Sequence, residues 1–132
     1  MLYFLAVTAA ICFACSKKDD QSERFRLLTG HVWKSDSLLV DGNDGSGPGG
    51  ILEKFVGDAE FKEDGTGYFG QYVGTWYFSN SEQDITIVSD SLAFPLTSSI
   101  VELTNLSFKI TTSYPSPAPG VNFDIRITFK PK

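Results

Sequence analysis

The C-terminal segment constrains the fold more than any other part of the chain. From Phe123 to Lys130 apolar and polar residues alternate without a break, with Phe123, Ile125, Ile127 and Phe129 on one side and Asp124, Arg126, Thr128 and Lys130 on the other. Successive side chains of a strand point to opposite faces, so this is a strand with one face buried and one in water. Such a strand needs neighbours that share its buried face. Leu106, Phe108 and Ile110 alternate in the same way with Ser107, Lys109 and Thr111, and the pairs Trp76 with Phe78 and Ile85 with Ile87 do so over shorter stretches.

Clusters of turn-forming residues separate these segments. Glu63-Asp64-Gly65-Thr66 lies between Phe61 and Tyr68 and offers an Asp-Gly pair suited to positive φ. Thr104-Asn105 sits between Leu103 and Leu106 at hairpin spacing, and Ser79 to Gln83 forms another turn. Eleven Phe, two Trp and five Tyr against a single Met favour strands over helices. The expected fold is all-β, a small antiparallel meander barrel of about eight strands, because closure removes exposed edges. A short helical turn from Ser22 to Leu28 precedes it, with Ser22 as N-cap, Phe25 and Leu28 on one face and Gly30 as the stop.

The N-terminus has a different character. Leu2 to Ala14 is an uncharged apolar run, shorter than the roughly 20 residues a helix needs to cross a bilayer, and it reads as the apolar core of a signal peptide. The sequence Cys12-Phe13-Ala14-Cys15 resembles the lipobox of bacterial lipoproteins, with Cys12 where Leu is usual. That resemblance implies cleavage before Cys15 and acylation of its thiol. Met1-Leu2-Tyr3 has no basic residue, which points to a start codon further upstream. Residues 1–14 are thus expected to be a signal peptide, 15–23 a lipidated tether and 24–132 the barrel domain. The tether, Ser16-Lys17-Lys18-Asp19-Asp20-Gln21-Ser22-Glu23, has no apolar residue. Its Lys-Asp-Asp triplet resembles the signal that sends some Bacteroidota lipoproteins to the outer leaflet of the outer membrane. The implied location is the bacterial cell envelope, with the lipid anchor as the membrane contact.

Four further segments carry a second resemblance. Leu27-Leu28-Thr29-Gly30-His31-Val32-Trp33-Lys34, Phe61-Lys62-Glu63-Asp64-Gly65-Thr66-Gly67, Gly74-Thr75-Trp76-Tyr77-Phe78 and Val101-Glu102-Leu103-Thr104-Asn105-Leu106 together resemble the lipocalin-like domain lipoproteins common in Bacteroidota. Gly30 to Trp33 is similar to the Gly-x-Trp signature of the first lipocalin strand, with one extra residue. The resemblance implies that the glycine-rich connection from Asp41 to Gly50 overhangs the open end of the barrel. Without the resemblance, the same connection reads as a disordered hairpin tip.

Little in the sequence points to catalysis. The one His, His31, lies between Gly30 and Val32 rather than beside an acid, no cysteine remains after Cys15, and no Gly-x-Ser-x-Gly elbow is present. Asp41-Gly42-Asn43-Asp44-Gly45-Ser46-Gly47 alternates oxygen donors like a calcium loop, but its fifth position is Gly45 and its twelfth Leu52. Neither a metal nor a cofactor is expected, and a net charge of −5 without a basic cluster argues against nucleic acid. The aromatic residues are the remaining signal. Trp33, Phe61, Tyr68, Trp76, Phe78, Phe108 and Phe123 are expected on the inward face, and all but Phe61 are taken as the ligand-binding set. Tyr72 and Tyr77 are expected outside, where they would suit a contact surface. The expected function is non-enzymatic binding of a small apolar or amphipathic ligand. The alternative is a cell-surface interaction or structural lipoprotein with a packed barrel, whose partner is another envelope protein.

The anchor assignment makes a direct prediction. Cys15→Ser abolishes metabolic palmitate labelling and membrane retention, whereas Cys12→Ser leaves both unchanged.

Overall fold

In the computed structural model, residues 21–116 and 118–132 are described. The expected signal peptide, Cys15 and most of the tether lie outside them. The last residues of the expected tether belong to the fold. Ser22 caps a helix, α1 (Glu23–Thr29), its hydroxyl accepting the Phe25 N–H at 3.0 Å. The helix stops at Gly30, whose N–H donates to the Arg26 carbonyl at 2.9 Å. Gly30 is itself right-handed; it is required because a Cβ there would sit 2.8 Å from that carbonyl oxygen.

Nine strands follow: β1 (Val32–Val40), β2 (Asn43–Asp44), β3 (Asp58–Phe61), β4 (Thr66–Phe69), β5 (Tyr72–Ser79), β6 (Asp84–Ser89), β7 (Leu96–Leu103), β8 (Phe108–Pro115) and β9 (Asn122–Pro131). All pairings are antiparallel. From β3 to β9 each strand pairs with the next in sequence, and β1 pairs with both β3 and β9, which closes an eight-stranded barrel. The ninth strand, β2, only extends the far end of β1. The closing seam is reinforced where the chain ends: the Lys132 N–H donates to the Val32 carbonyl at 2.8 Å, and its ammonium donates to Asp58 on β3 at 2.7 Å.

Two bulges tune which residues face inward. Trp33 and Leu38 are five apart, so strict alternation would put them on opposite faces. An irregularity between Ser35 and Ser37 re-phases β1, and both are buried. A second irregularity between Ile100 and Glu102 does the same for β7, burying Leu103 and turning Val101 out to solvent. On β5 the inward position between Tyr72 and Trp76 is Gly74, where a Cβ would overlap the Val88 carbonyl oxygen of β6. Across the β4–β5 pair it faces Gly67, which is covered by the Phe69 ring.

The turns expected at Asp64-Gly65 and at Ser79 to Gln83 are both present. Gly65 has φ 90°, and the Asp64 carboxylate accepts the Thr66 hydroxyl at 2.7 Å and the Thr66 N–H at 3.0 Å, which together hold its pKa below the usual value. Leu106 departs from expectation. It belongs not to β8 but to the β7–β8 turn, where Thr104 accepts from the Leu106 and Ser107 N–H groups, and it is 78% exposed. In the β5–β6 turn, Asn80, Ser81 and Glu82 are all left-handed, at roughly 1–2 kcal/mol per residue. Helix α1 holds this turn: Ser22 donates to the Glu82 carboxylate at 2.9 Å, and Arg24 donates to its carbonyl at 2.8 Å.

One end of the barrel is filled with aromatic rings. Phe61 lies edge-on to Trp76 (88°) and to Phe108 (85°) at centroid distances of 5.7 and 5.6 Å, and packs on Phe69 at 5.0 Å. Phe108 in turn meets Trp33 and stacks on Phe129 at 5.4 Å. Helix α1 closes this end with buried Leu28, while Phe25 lies 5.8 Å from Trp76. Removing a ring from such a layer leaves a cavity its rigid neighbours cannot fill. Phe61→Ala should therefore lower the free energy of unfolding by about 3–5 kcal/mol in urea titrations. Tyr77→Ala, on the outer face, should change it by no more than about 0.5 kcal/mol.

Candidate functional site

The two ends of the barrel differ in construction. Helix α1 and the turns at 62–65, 79–83 and 104–107 lie at the aromatic end. The other end, the mouth, is formed by the long connection from β1 to β3 together with the turns at 70–71, 90–95 and 118–121.

The β1–β3 connection is ordered by its own backbone chemistry and is not the disordered tip that its glycines allow. Asp41 and Gly42, with φ of 52° and 84°, turn the chain into β2. Asp41 is tied to β9 twice, its N–H donating to the Asp124 carbonyl and its carboxylate accepting the Asp124 N–H, each at 2.8 Å. The chain then folds back, the Gly45 N–H donating to Leu38 at 2.9 Å and the Leu52 N–H to Gly45 at 3.0 Å. It ends in a 3-10 turn over Glu53–Phe55, which lowers Leu52 and Phe55 into the mouth while Glu53 and Lys54 remain in solvent. Residues 51–56 thus form a cap. Its seat is the β4–β5 turn, where the Gln71 N–H donates to the Lys54 carbonyl at 2.8 Å.

Beneath the cap is an apolar cavity of about 20 Å³, large enough for roughly one water. The cap contributes Ile51, Leu52 and Phe55 to its lining, and the β6–β7 turn contributes Leu92. Tyr72, Leu96, Tyr114, Ile125 and Ile127 form the walls. Phe55 and Tyr72 have ring centroids 4.7 Å apart. Burial pushes the Tyr72 phenol above its ordinary value, and the nearby Tyr114 adds to the shift. No charged side chain lines the cavity.

The structure separates the residues expected to bind ligand. Trp33, Trp76 and Phe108 are buried in the aromatic end, where the Trp33 indole donates to the Leu28 carbonyl and the Trp76 indole to Lys62, both at 3.0 Å. Phe78 is half-buried and edge-on to Trp76 at 5.3 Å. Phe123 is half-buried near the mouth, paired with Tyr114 in register. Tyr68 faces outward, since its neighbours Gly67 and Phe69 take the inward positions. Desolvation, followed by Glu60 and Asp58, raises its phenol pKa. Tyr72 is the reverse case: expected outside, it is buried at the mouth, as its even spacing from Trp76 allows. Tyr77 faces solvent as expected. Sequence reading also missed Leu52 and Phe55. Their three-residue spacing after the glycines was the available signal, that of one helical turn.

The acids of the calcium-like stretch are engaged elsewhere. Asp44 accepts from the hydroxyl and then the backbone N–H of Ser46, which lower its pKa, and Asp41 is bound to β9. His31 packs edge-on to Trp33 at 5.1 Å. Among the described residues, no three His, Cys, Asp or Glu side chains gather closely enough to hold a metal, and no helix is long and apolar enough to cross a membrane. A scan against protein-family models finds none that matches this chain, and a search of curated proteins finds no match either.

Proposed function

We propose that the chain is a membrane-anchored, lipocalin-like lipoprotein of the bacterial envelope that binds a small apolar or amphipathic molecule at the barrel mouth, beneath the 51–56 cap. The observation that carries this reading is the cap itself: two apolar side chains on a glycine-bounded connection cover a cavity with no charged side chain in its lining. Around it, Ile51, Val56, Phe94 and Val121 leave an apolar rim exposed to solvent. The aromatic end is closed instead by helix α1, and its rings are locked among the strands.

Magnitudes set the size of the ligand. Burying Leu52 and Phe55 stabilises the closed cap by roughly 1.5–3 kcal/mol each, and each buried methylene of a ligand contributes about 0.8 kcal/mol. A ligand that displaces the cap must therefore bury on the order of eight methylenes, or an equivalent aromatic area. A second reading, a surface interaction or structural lipoprotein with a packed barrel, is favoured by the small cavity and by Val73 and Tyr77, 72% and 53% exposed on the outer face of β5.

The two readings part in a titration of the mature protein with N-phenyl-1-naphthylamine, an uncharged fluorescent probe. Saturable binding of one equivalent is expected, strengthened by Phe55→Ala and weakened about tenfold or more by Leu96→Trp, which fills the mouth. Absence of saturable binding by both the wild type and Phe55→Ala overturns the binding reading and leaves the second.

A further inference from the structure

Among the described residues, three serine or threonine side chains are buried in the barrel wall: Thr86, Ser89 and Ser98. Two have partners. Thr86 is hydrogen-bonded to Thr97 at 2.8 Å, and Ser89 donates to the Val73 carbonyl at 2.8 Å. Ser98 has none, although it is only 2% exposed. The Thr112 hydroxyl is engaged with the Thr97 carbonyl, to which it donates at 2.7 Å. A buried hydroxyl without a partner is destabilising, whereas an alanine or a well-fitted valine in its place leaves no polar group unsatisfied.

Its position relates this orphan to the mouth. Before its bulge β7 turns Leu96, Ser98 and Ile100 inward, and Leu96 lines the mouth cavity. Ser98 is the next inward side chain below it, about 6–7 Å deeper along the strand. Across the β6–β7 pair Ser98 sits opposite buried Ile85, one inward step deeper than the pair of Leu96 with Ile87. The hydroxyl therefore lies on the inner surface directly below the apolar mouth, above the aromatic layer. Charge is absent from this path, as Lys54 and Glu53 of the cap both point to solvent.

We propose that Ser98 is the polar anchor of the mouth site, and that the site takes a neutral amphiphile carrying one hydroxyl or carbonyl group on an apolar body. This rests on the mouth being a ligand site, as proposed above, and adds the chemistry of what it selects. A ligand entering head first past Leu52 and Phe55 places its polar atom at Ser98 and its hydrocarbon among Tyr72, Leu96 and Ile125. A carboxylate in the same place would be desolvated with no cation to pair with, a cost one serine hydroxyl cannot offset. The neutral form is therefore preferred over the anion.

Calorimetric titrations of the mature protein with 1-decanol, decanoate at pH 8 and naphthalene test this. Decanol is expected to bind at least tenfold more tightly than decanoate. Ser98→Val should weaken decanol about tenfold, leave naphthalene within about twofold, and not lower the urea midpoint. Equal affinity for decanol and decanoate, or decanol binding unaffected by Ser98→Val, overturns the proposal while leaving an apolar mouth site in place. Failure of naphthalene to bind either the wild type or Phe55→Ala removes the mouth site, and the role of Ser98 with it.

Discussion

The packing of Phe61 against Trp76, Phe69 and Phe108 is the contact on which the rest of the barrel depends. It joins β3, β4, β5 and β8, strands on opposite sides of the barrel, through edge-on and tilted rings. Through Phe108 the same layer reaches Trp33 on β1 and Phe129 on β9, the two strands of the closing seam. The described residues contain no cysteine, so no disulfide supplements this layer. Helix α1 completes it from outside and pins the left-handed β5–β6 turn, which ties the polar residues after the expected anchor to the stability of the barrel.

Filling one end so completely moves the candidate chemistry to the other. An eight-stranded barrel is just wide enough for side chains to occupy its interior, and the rings at the aromatic end do so. What remains is a mouth closed by two side chains from a loop. Loops can open at a lower free energy than the strands beneath them, because fewer buried contacts hold them. The cap is held by the Leu52 N–H on the Gly45 carbonyl, the Glu53 N–H on the Gly50 carbonyl and the Gln71 N–H on the Lys54 carbonyl, while in the wall β5 and β6 are paired from Gly74 to Ser79 and β8 is paired with β9 over its whole length.

Much of the fold was legible because most strands alternate cleanly and the Asp64-Gly65 and Ser79–Gln83 turns declare themselves. Alternation failed wherever the backbone changes phase. At Asp36 and Val101 a bulge moves the pattern by one residue, and nothing in the side chains marks that shift. Leu106 alternates with Phe108 and Ile110 as a strand residue would, whereas the hydrogen bonds of Thr104 place it in a turn. Tyr68 and Tyr72 exchanged faces for a related reason: glycines occupy the inward positions beside them, so the aromatic residue was not a guide to direction. The site was less legible than the fold. Aromatic content pointed to the barrel interior, where the rings serve packing. Leu52 and Phe55 come from a stretch whose glycines hid its order, and an unpartnered serine has no signature in sequence.

Native-state hydrogen exchange on the mature protein tests the central claim, that the cap opens on its own over a rigid barrel. The amides of Leu52, Phe55 and Val56 should exchange at least about 100-fold faster than those of β8 and β9, and added 1-decanol should change the cap rates while leaving the strands as they were. Cap amides that exchange only as slowly as the strands, with rates indifferent to decanol, would contradict the account.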